Sequence, residues 1–265
     1  MKTLRTALLV SAAISVAACG DSSTPESVVP ETSPPVQEQA MAPDLATMLT
    51  EMRSEDDRAR DAGRKPADVI AAMGIEPGMH VLEVIAGGGW YTEVLAIAVG
   101  PDGHVTAHNT PGALQVRDGA NEAAISARLA DGRYPNVSRL NKNTHEIVAE
   151  DGEFDAAFTA LNLHDIYNRG GEDGAIASLA AIFTVLKPGG FFVIIDHEGL
   201  AENDNVALHR MAKADAMRVA EAAGFVLDTD SDVLQNDSDD MSMHMRDESV
   251  QGMTNRFVLK FRKPE

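Results

Sequence analysis

Val-Leu-Glu-Val-Ile-Ala-Gly-Gly-Gly-Trp-Tyr-Thr-Glu, residues 81–93, decides how this chain is read. An apolar run enters a cluster of three glycines, and a helical pattern follows at once. Glycines let the backbone approach a ligand closely, and the helix that follows aims its N-terminal amides at it. Glu83 adds an acid at the end of the apolar run. This layout is that of a nucleotide-type cofactor site.

Outward from that stretch, apolar runs and helical patterns alternate. The sequence predicts a helical region from residue 44, a helix over 67–73 begun by Pro66 and ended by Gly74, and a strand over 80–85. A helix over 91–99 stops at Gly100-Pro101-Asp102-Gly103, and a strand follows over 104–108. Next come a helix over 113–130, strands over 137–140 and 154–161, and a helix over 174–186 stopped by Lys187-Pro188-Gly189-Gly190. The strand over 191–196 is apolar throughout, as a strand buried on both faces should be. A helix over 207–223, a short strand from 225 and a last strand over 256–262 complete the chain. Such alternation implies an α/β fold with helices on both faces of a mostly parallel sheet. Only a loop separates the last two strands, so they are expected to pair antiparallel. Ligands of such sheets bind beyond the carboxyl ends of the strands.

The first residues carry an address. Lys2 and Arg5 precede a short apolar run over 7–16, which ends in Val16-Ala17-Ala18-Cys19, a sequence that looks like a bacterial lipobox. The expectation is a lipoprotein signal peptide over 1–18, a lipidated Cys19, a Pro- and Ser-rich tether over 19–43 and a folded domain over 44–265. The protein would then be held in the cell envelope by its lipid, facing the periplasm. Cys19 is the single cysteine, so the mature domain has no disulfide to form. A net charge of −19 argues against a nucleic-acid partner.

Beyond the glycine cluster, several segments bear a resemblance. They are Arg64-Lys65-Pro66, Gly87-Gly88-Gly89-Trp90-Tyr91-Thr92-Glu93, Asn162-Leu163-His164-Asp165, Leu186-Lys187-Pro188-Gly189-Gly190, Asp196-His197 and Arg256-Phe257-Val258-Leu259-Lys260-Phe261. Across about residues 50–264 the chain resembles the class I S-adenosylmethionine-dependent methyltransferases, and more narrowly a family of secreted predicted methyltransferases. The resemblance implies a Rossmann-like three-layer α/β/α methyltransferase fold with a seven-stranded, mostly parallel sheet and an antiparallel last strand. It implies S-adenosylmethionine as cofactor, held by Glu83, Gly87, Gly88, Gly89, Asn109 and Asn162. The family's first loop glycine is replaced by Ile85. A β-branched residue resists positive φ, so the loop is expected to take a different path there. The family's ribose-binding acid is replaced by Asn109, which can still bond a hydroxyl, without charge assistance.

Methyl transfer from a sulfonium needs positioning above all, and a base only where the acceptor must lose a proton. His164 and Asp165 follow one predicted strand, and Asp196 and His197 close the next. If the two strands are neighbours, these groups converge at the cofactor end of the sheet. His164, Asp165 and His197 are therefore the candidate catalytic residues. Carboxylates and imidazoles also suit a divalent metal, although no spacing demands one. Trp90 and Tyr91 could stack on a ligand or simply pack. Asp228 to Asp232 lacks the glycine of a calcium loop, and Met241-Ser-Met-His-Met245 offers soft ligands of the kind copper takes. The acidic stretch 228–248 reads as a solvated lid or loop, and His80, His104, His145 and His209 carry no assigned role. The leading reading is a lipid-anchored methyltransferase acting on a small molecule. A non-catalytic binding lipoprotein on the same fold, and a metal-assisted enzyme using the His/Asp cluster, remain open as alternatives.

Overall fold

The computed structural model describes residues 44–265, which form one compact unit. The expected signal peptide, Cys19 and tether lie outside the described residues. Among the described residues no helix is long and apolar enough to cross a membrane.

Four short helices come first: α1 (Leu45–Met52), α2 (Glu55–Arg58), α3 (Asp61–Arg64) and α4 (Pro66–Met73). The side chains of Asp44 and Ser54 accept amide hydrogens at the starts of α1 and α2, satisfying donors that a helix start leaves free. There follow β1 (His80–Val84), α5 (Trp90–Val99), β2 (His104–Asn109), α6 (Pro111–Arg128), β3 (Val137–Asn141) and β4 (Phe154–Ala160). The chain ends with α7 (Leu163–Val185), β5 (Leu186–Gly199), α8 (Asn205–Leu208), β6 (Met211–Ala212), α9 (Lys213–Ala222), β7 (Val226–Ser231) and β8 (Arg256–Arg262).

The strands lie in the order β3-β2-β1-β4-β5-β8-β7. All pairings from β3 to β5 are parallel, and β8 runs antiparallel to both β5 and β7. This is the expected sheet. Side chains alternate between its faces. Val81, Phe158, Val193 and Val258 pack on α4 and α5, while Leu82, Ala157, Phe192 and Leu259 pack on α7 and α9. The order reverses between β1 and β4, and β1 and β2 end in register, with Val84 beside His108.

Three elements differ from expectation. The helix expected to begin at 174 begins at Leu163, directly after β4, and its first part is broken only at Gly171 (φ +66°). The Gly170-Gly171 pair marks a break within the helix, and His164 and Asp165 belong to its first turn. The Lys-Pro-Gly-Gly turn is drawn into the start of β5, with a register shift opposite Phe154 and Ala156. Gly190 is required there, because a Cβ would stand 3.0 Å from the Asp155 carbonyl oxygen. The helix expected over 207–223 is split by the two residues of β6, which pair with Glu198 and Gly199.

Candidate active site

The glycine loop lies beyond the carboxyl ends of β1 and β2. Ile85 takes φ +57°, so the loop adopts at an isoleucine the left-handed backbone expected only of glycine. Such a conformation costs about 1–2 kcal/mol and persists only where the surroundings hold it. Here they hold it from both sides. The Ile85 amide donates to His108 Nδ1 at 3.3 Å, and its carbonyl accepts from Asn162 Nδ2 at 3.0 Å. His108 Nε2 stands 2.9 Å from the Lys142 carbonyl. A carbonyl only accepts, so Nε2 carries the hydrogen and Nδ1 is free to accept from Ile85. Burial holds the His108 pKa down to about 4, so this tautomer is neutral.

Asn109, expected to hold the cofactor, is here seen holding the loop. It is fully buried, its Oδ1 accepts from the Gly87 amide at 2.8 Å, and its Nδ2 donates to the Gly87 carbonyl at 3.2 Å. The register of β1 and β2 sets it beside the loop, where both ends of its amide clamp the Gly87 backbone and it does not line the cleft. Gly87 (φ +58°) and Gly89 (φ +83°) need their conformational freedom, and a Cβ on Gly88 would meet Ala124 Cβ at 2.9 Å. Asn162 also donates to the Ala160 carbonyl at 2.8 Å, so this expected cofactor residue acts on the loop as well.

Glu83, Gly87, Gly88 and Asn162 line a cleft of about 530 Å³ at this sheet end. Glu83 is 3% exposed and accepts a hydrogen bond from the Thr92 hydroxyl. Burial pushes its pKa up to about 7, and the Thr92 bond and the charge of Arg128 only partly oppose it. A buried carboxyl in such a state gains much from a cationic neighbour. Trp90 and Tyr91 touch the cleft but are packed: Trp90 Nε1 donates to the Asp57 carbonyl at 2.9 Å, and Tyr91 lies 4.8 Å from Phe158, ring to ring. Arg128 ties the cleft together, bonding Asp57, Glu93 and the Gly88 carbonyl.

A second cleft of about 490 Å³ shares Arg60, Arg64, Arg117 and Leu161 with the first. Arg246 and Arg256 bring its arginines to five, and no acidic residue lines it. Arg117 reaches it because α6 breaks at residues 116–119, where Arg117, Asp118 and Gly119 all have positive φ. Arg64 lies against Trp90 at 4.5 Å and Tyr91 at 5.6 Å, and burial lowers its pKa to about 9. Among the described residues no carboxylate pairs with Arg60, Arg64, Arg117 or Arg246; acids pair instead with Arg53, Arg128, Arg133 and other arginines. Arg256 is spent on backbone, donating to the Gly63 and Gly252 carbonyls. Arg64 and Arg256 stand in segments that carry the resemblance, but nothing in the sequence brought the five arginines together.

The catalytic candidates are divided among three surroundings. His197 lines the arginine cleft, its Nδ1 is 2.6 Å from the Thr254 hydroxyl, and burial lowers its pKa well below the ordinary value, leaving it neutral. His164 is 1% exposed and lines neither cleft. Its Nδ1 lies 2.6 Å from Asp196 Oδ1, and its amide donates to Asp196 Oδ2 at 2.8 Å. Burial opposes the charged form of His164, but the Asp196 carboxylate more than offsets this and raises its pKa. Asp165 faces a third cleft, beside Gly87, Asn162 and Arg169. His209, which had no assigned role, stands against His164 with 4.6 Å between ring centres. The stretch 228–248 is not simply a solvated acidic lid. Asp239 is buried and binds the fully buried Arg210 through both oxygens, fastening the segment that carries Met245 and Arg246 to the arginine cleft.

Comparison with known proteins agrees with this architecture. The model of the ubiE/COQ5 methyltransferase family matches residues 63–255. A ubiquinone/menaquinone biosynthesis C-methyltransferase, UbiE, of Ectopseudomonas mendocina is 24% identical over 69% of this chain and 66% of its own length. The chain thus spans about two thirds of the length of such curated relatives. A SAM-dependent methyltransferase from Aquifex aeolicus superposes with a TM-score of 0.59 at 17% identity, over 84% of this chain and all (100%) of that one. A TehB-like SAM-dependent methyltransferase from Corynebacterium glutamicum gives 0.50 at 19% identity, over 81% of this chain and 98% of that one. The chain belongs to the ubiE/COQ5 methyltransferase family and has the class I S-adenosylmethionine-dependent methyltransferase fold.

Proposed function

We propose that the protein transfers a methyl group from S-adenosylmethionine to a small acceptor carrying an anionic group, and does so as a lipoprotein anchored through Cys19 in the bacterial envelope, facing the periplasm. The observation that carries the reading is the pair of adjoining clefts: one with a glycine loop and a buried acid, the other with five arginines and no acid. In a chain of net charge −19, such a cationic recess is a built feature of the fold. The lipobox supports the anchor, and family membership supports the chemistry.

Bound S-adenosylmethionine supplies an already activated methyl group. Glu83 would meet the cofactor's positive charge, and the Gly87 and Gly88 backbone allows close approach. Arg60, Arg64 and Arg117, at the junction of the clefts, would grip the acceptor's anionic group and set its reacting atom in line with the methyl carbon. His197, neutral in the cleft wall, would take the acceptor's proton as the new bond to carbon forms and the sulfur–carbon bond breaks. The products are the methylated acceptor and S-adenosylhomocysteine.

The test is S-adenosylhomocysteine release with a panel of aryl carboxylates, aryl phosphates and neutral quinols. Acidic acceptors should turn over, with KM raised at least tenfold by Arg64→Met. Turnover of neutral quinols only, unaffected by that change, would overturn the anionic-acceptor reading and favour an acceptor like that named for the curated relatives. Cys19→Ala should release the protein from membranes, and membrane retention would count against the anchor.

A further inference from the structure

We propose that His164, Asp165 and His209 bind one divalent transition-metal ion of the zinc type, at a site whose three residues line neither the cofactor cleft nor the acceptor cleft. Two imidazoles and one carboxylate form a donor set that zinc and similar ions take with an open fourth position. Asp165 Oδ1 stands 4.0 Å from His164 Nε2 and 3.5 Å from His209 Nε2, and all three ligand atoms lie within 4.8 Å of one another. Ligand bonds of about 2.1 Å in a tetrahedron put neighbouring ligand atoms roughly 3.4 Å apart, so small side-chain rotations would close the shell.

The decisive atom is His164 Nε2, which is buried and has no hydrogen-bond partner among the described residues. Leaving a buried polar atom unpaired costs about 1–3 kcal/mol, and such an atom requires an explanation. Its other nitrogen is fixed by Asp196, which accepts the Nδ1 hydrogen at 2.6 Å and is itself steadied by the His164 and His197 amides at 2.8 Å each. With the hydrogen on Nδ1, Nε2 presents a lone pair toward Asp165 and His209. A carboxylate behind a histidine in this way is the outer support that metal-binding imidazoles ordinarily have.

His209 closes α8 in the left-handed conformation, its amide bonded back to the Asn205 and Val206 carbonyls. It takes φ +56° at the end of α8, a conformation uncommon for a side-chain-bearing residue, and this sets its ring on His164. The sequence suggested a different set: His197 is turned to Thr254, and Asp196 stands behind His164, so neither is a ligand.

Metal-depleted full-length protein in detergent should bind Zn2+ with one-to-one stoichiometry by calorimetry. His209→Ala and Asp165→Asn should each weaken binding at least tenfold while leaving the melting temperature of the metal-free protein nearly unchanged. Asp196→Asn should weaken it by about 10–100-fold through the second layer. Co2+ in place of Zn2+ should give a visible absorption spectrum that changes in His209→Ala. No uptake of Zn2+ at millimolar concentration by folded protein would overturn the proposal. So would binding that survives His209→Ala and Asp165→Asn but is lost in His244→Ala, since the Met/His segment 241–245 would then be the site.

Discussion

Acidification should loosen the glycine loop through one residue, His108. Its imidazole accepts the Ile85 amide on one side and donates to the Lys142 carbonyl on the other, and the bond from Ile85 requires the neutral form. The ordinary histidine value is 6.5, and burial lowers it here to about 4. Between these values the unfolded chain binds a proton that the folded chain does not. Stability therefore rises with pH across this window, is fully present above about 6.5, and is lost as pH falls toward about 4. The whole shift corresponds to about 3 kcal/mol, of which about 2 kcal/mol is gone by pH 5.

Glu83 works in the opposite sense. Its folded pKa is raised from 4.5 to about 7, so the folded chain binds the extra proton and stability falls as pH rises through that window. The two slopes nearly cancel in the native protein, so its own pH profile hides both. His108→Gln keeps a donor and an acceptor but cannot titrate. Urea unfolding of both proteins from about pH 4.5 to 7.5 gives a difference curve that isolates His108. The expected curve falls by about 2 kcal/mol between pH 7 and pH 5, to the disadvantage of the native histidine. Parallel curves, with a constant offset across that range, would refute the reasoning.

Other outcomes follow from the same geometry. Affinity for S-adenosylmethionine should rise with pH by up to about tenfold per unit, levelling above pH 7, as Glu83 loses its proton to face a cation. Glu83→Gln should bind more weakly and without that slope, and a flat native profile from pH 5.5 to 8 would dismiss the role of Glu83. Gly88→Ala puts a Cβ 2.9 Å from Ala124 Cβ and should cost about 1–3 kcal/mol in thermal or urea melts. Arg64→Met should raise the acceptor KM far more than it lowers kcat, because the guanidinium grips and does not react; an equal loss in both would contradict this.

The sheet was legible because its signals are local. Apolar strand runs, glycine turns and the Gly87-Gly88-Gly89 cluster each sit within a few residues. The site was less so, because its parts meet only in three dimensions. Arg60, Arg64, Arg117, Arg246 and Arg256 come from the N-terminal helices, the break in α6, the long loop before β8 and β8 itself. His209 joins His164 only because a left-handed residue ends α8. At Ile85 the local rule against positive φ is overridden by two hydrogen bonds from residues distant in sequence. Asn109 occupied the expected place, but the register of β1 and β2 turned its amide onto the Gly87 backbone.

The most direct test is isothermal titration of the folded domain, residues 44–265, with S-adenosylmethionine and S-adenosylhomocysteine. One site of micromolar affinity for each, abolished in a folded Gly87→Arg variant, is the expected result. No heat and no melting-temperature shift at millimolar ligand, from native protein with intact secondary structure, would contradict the central claim.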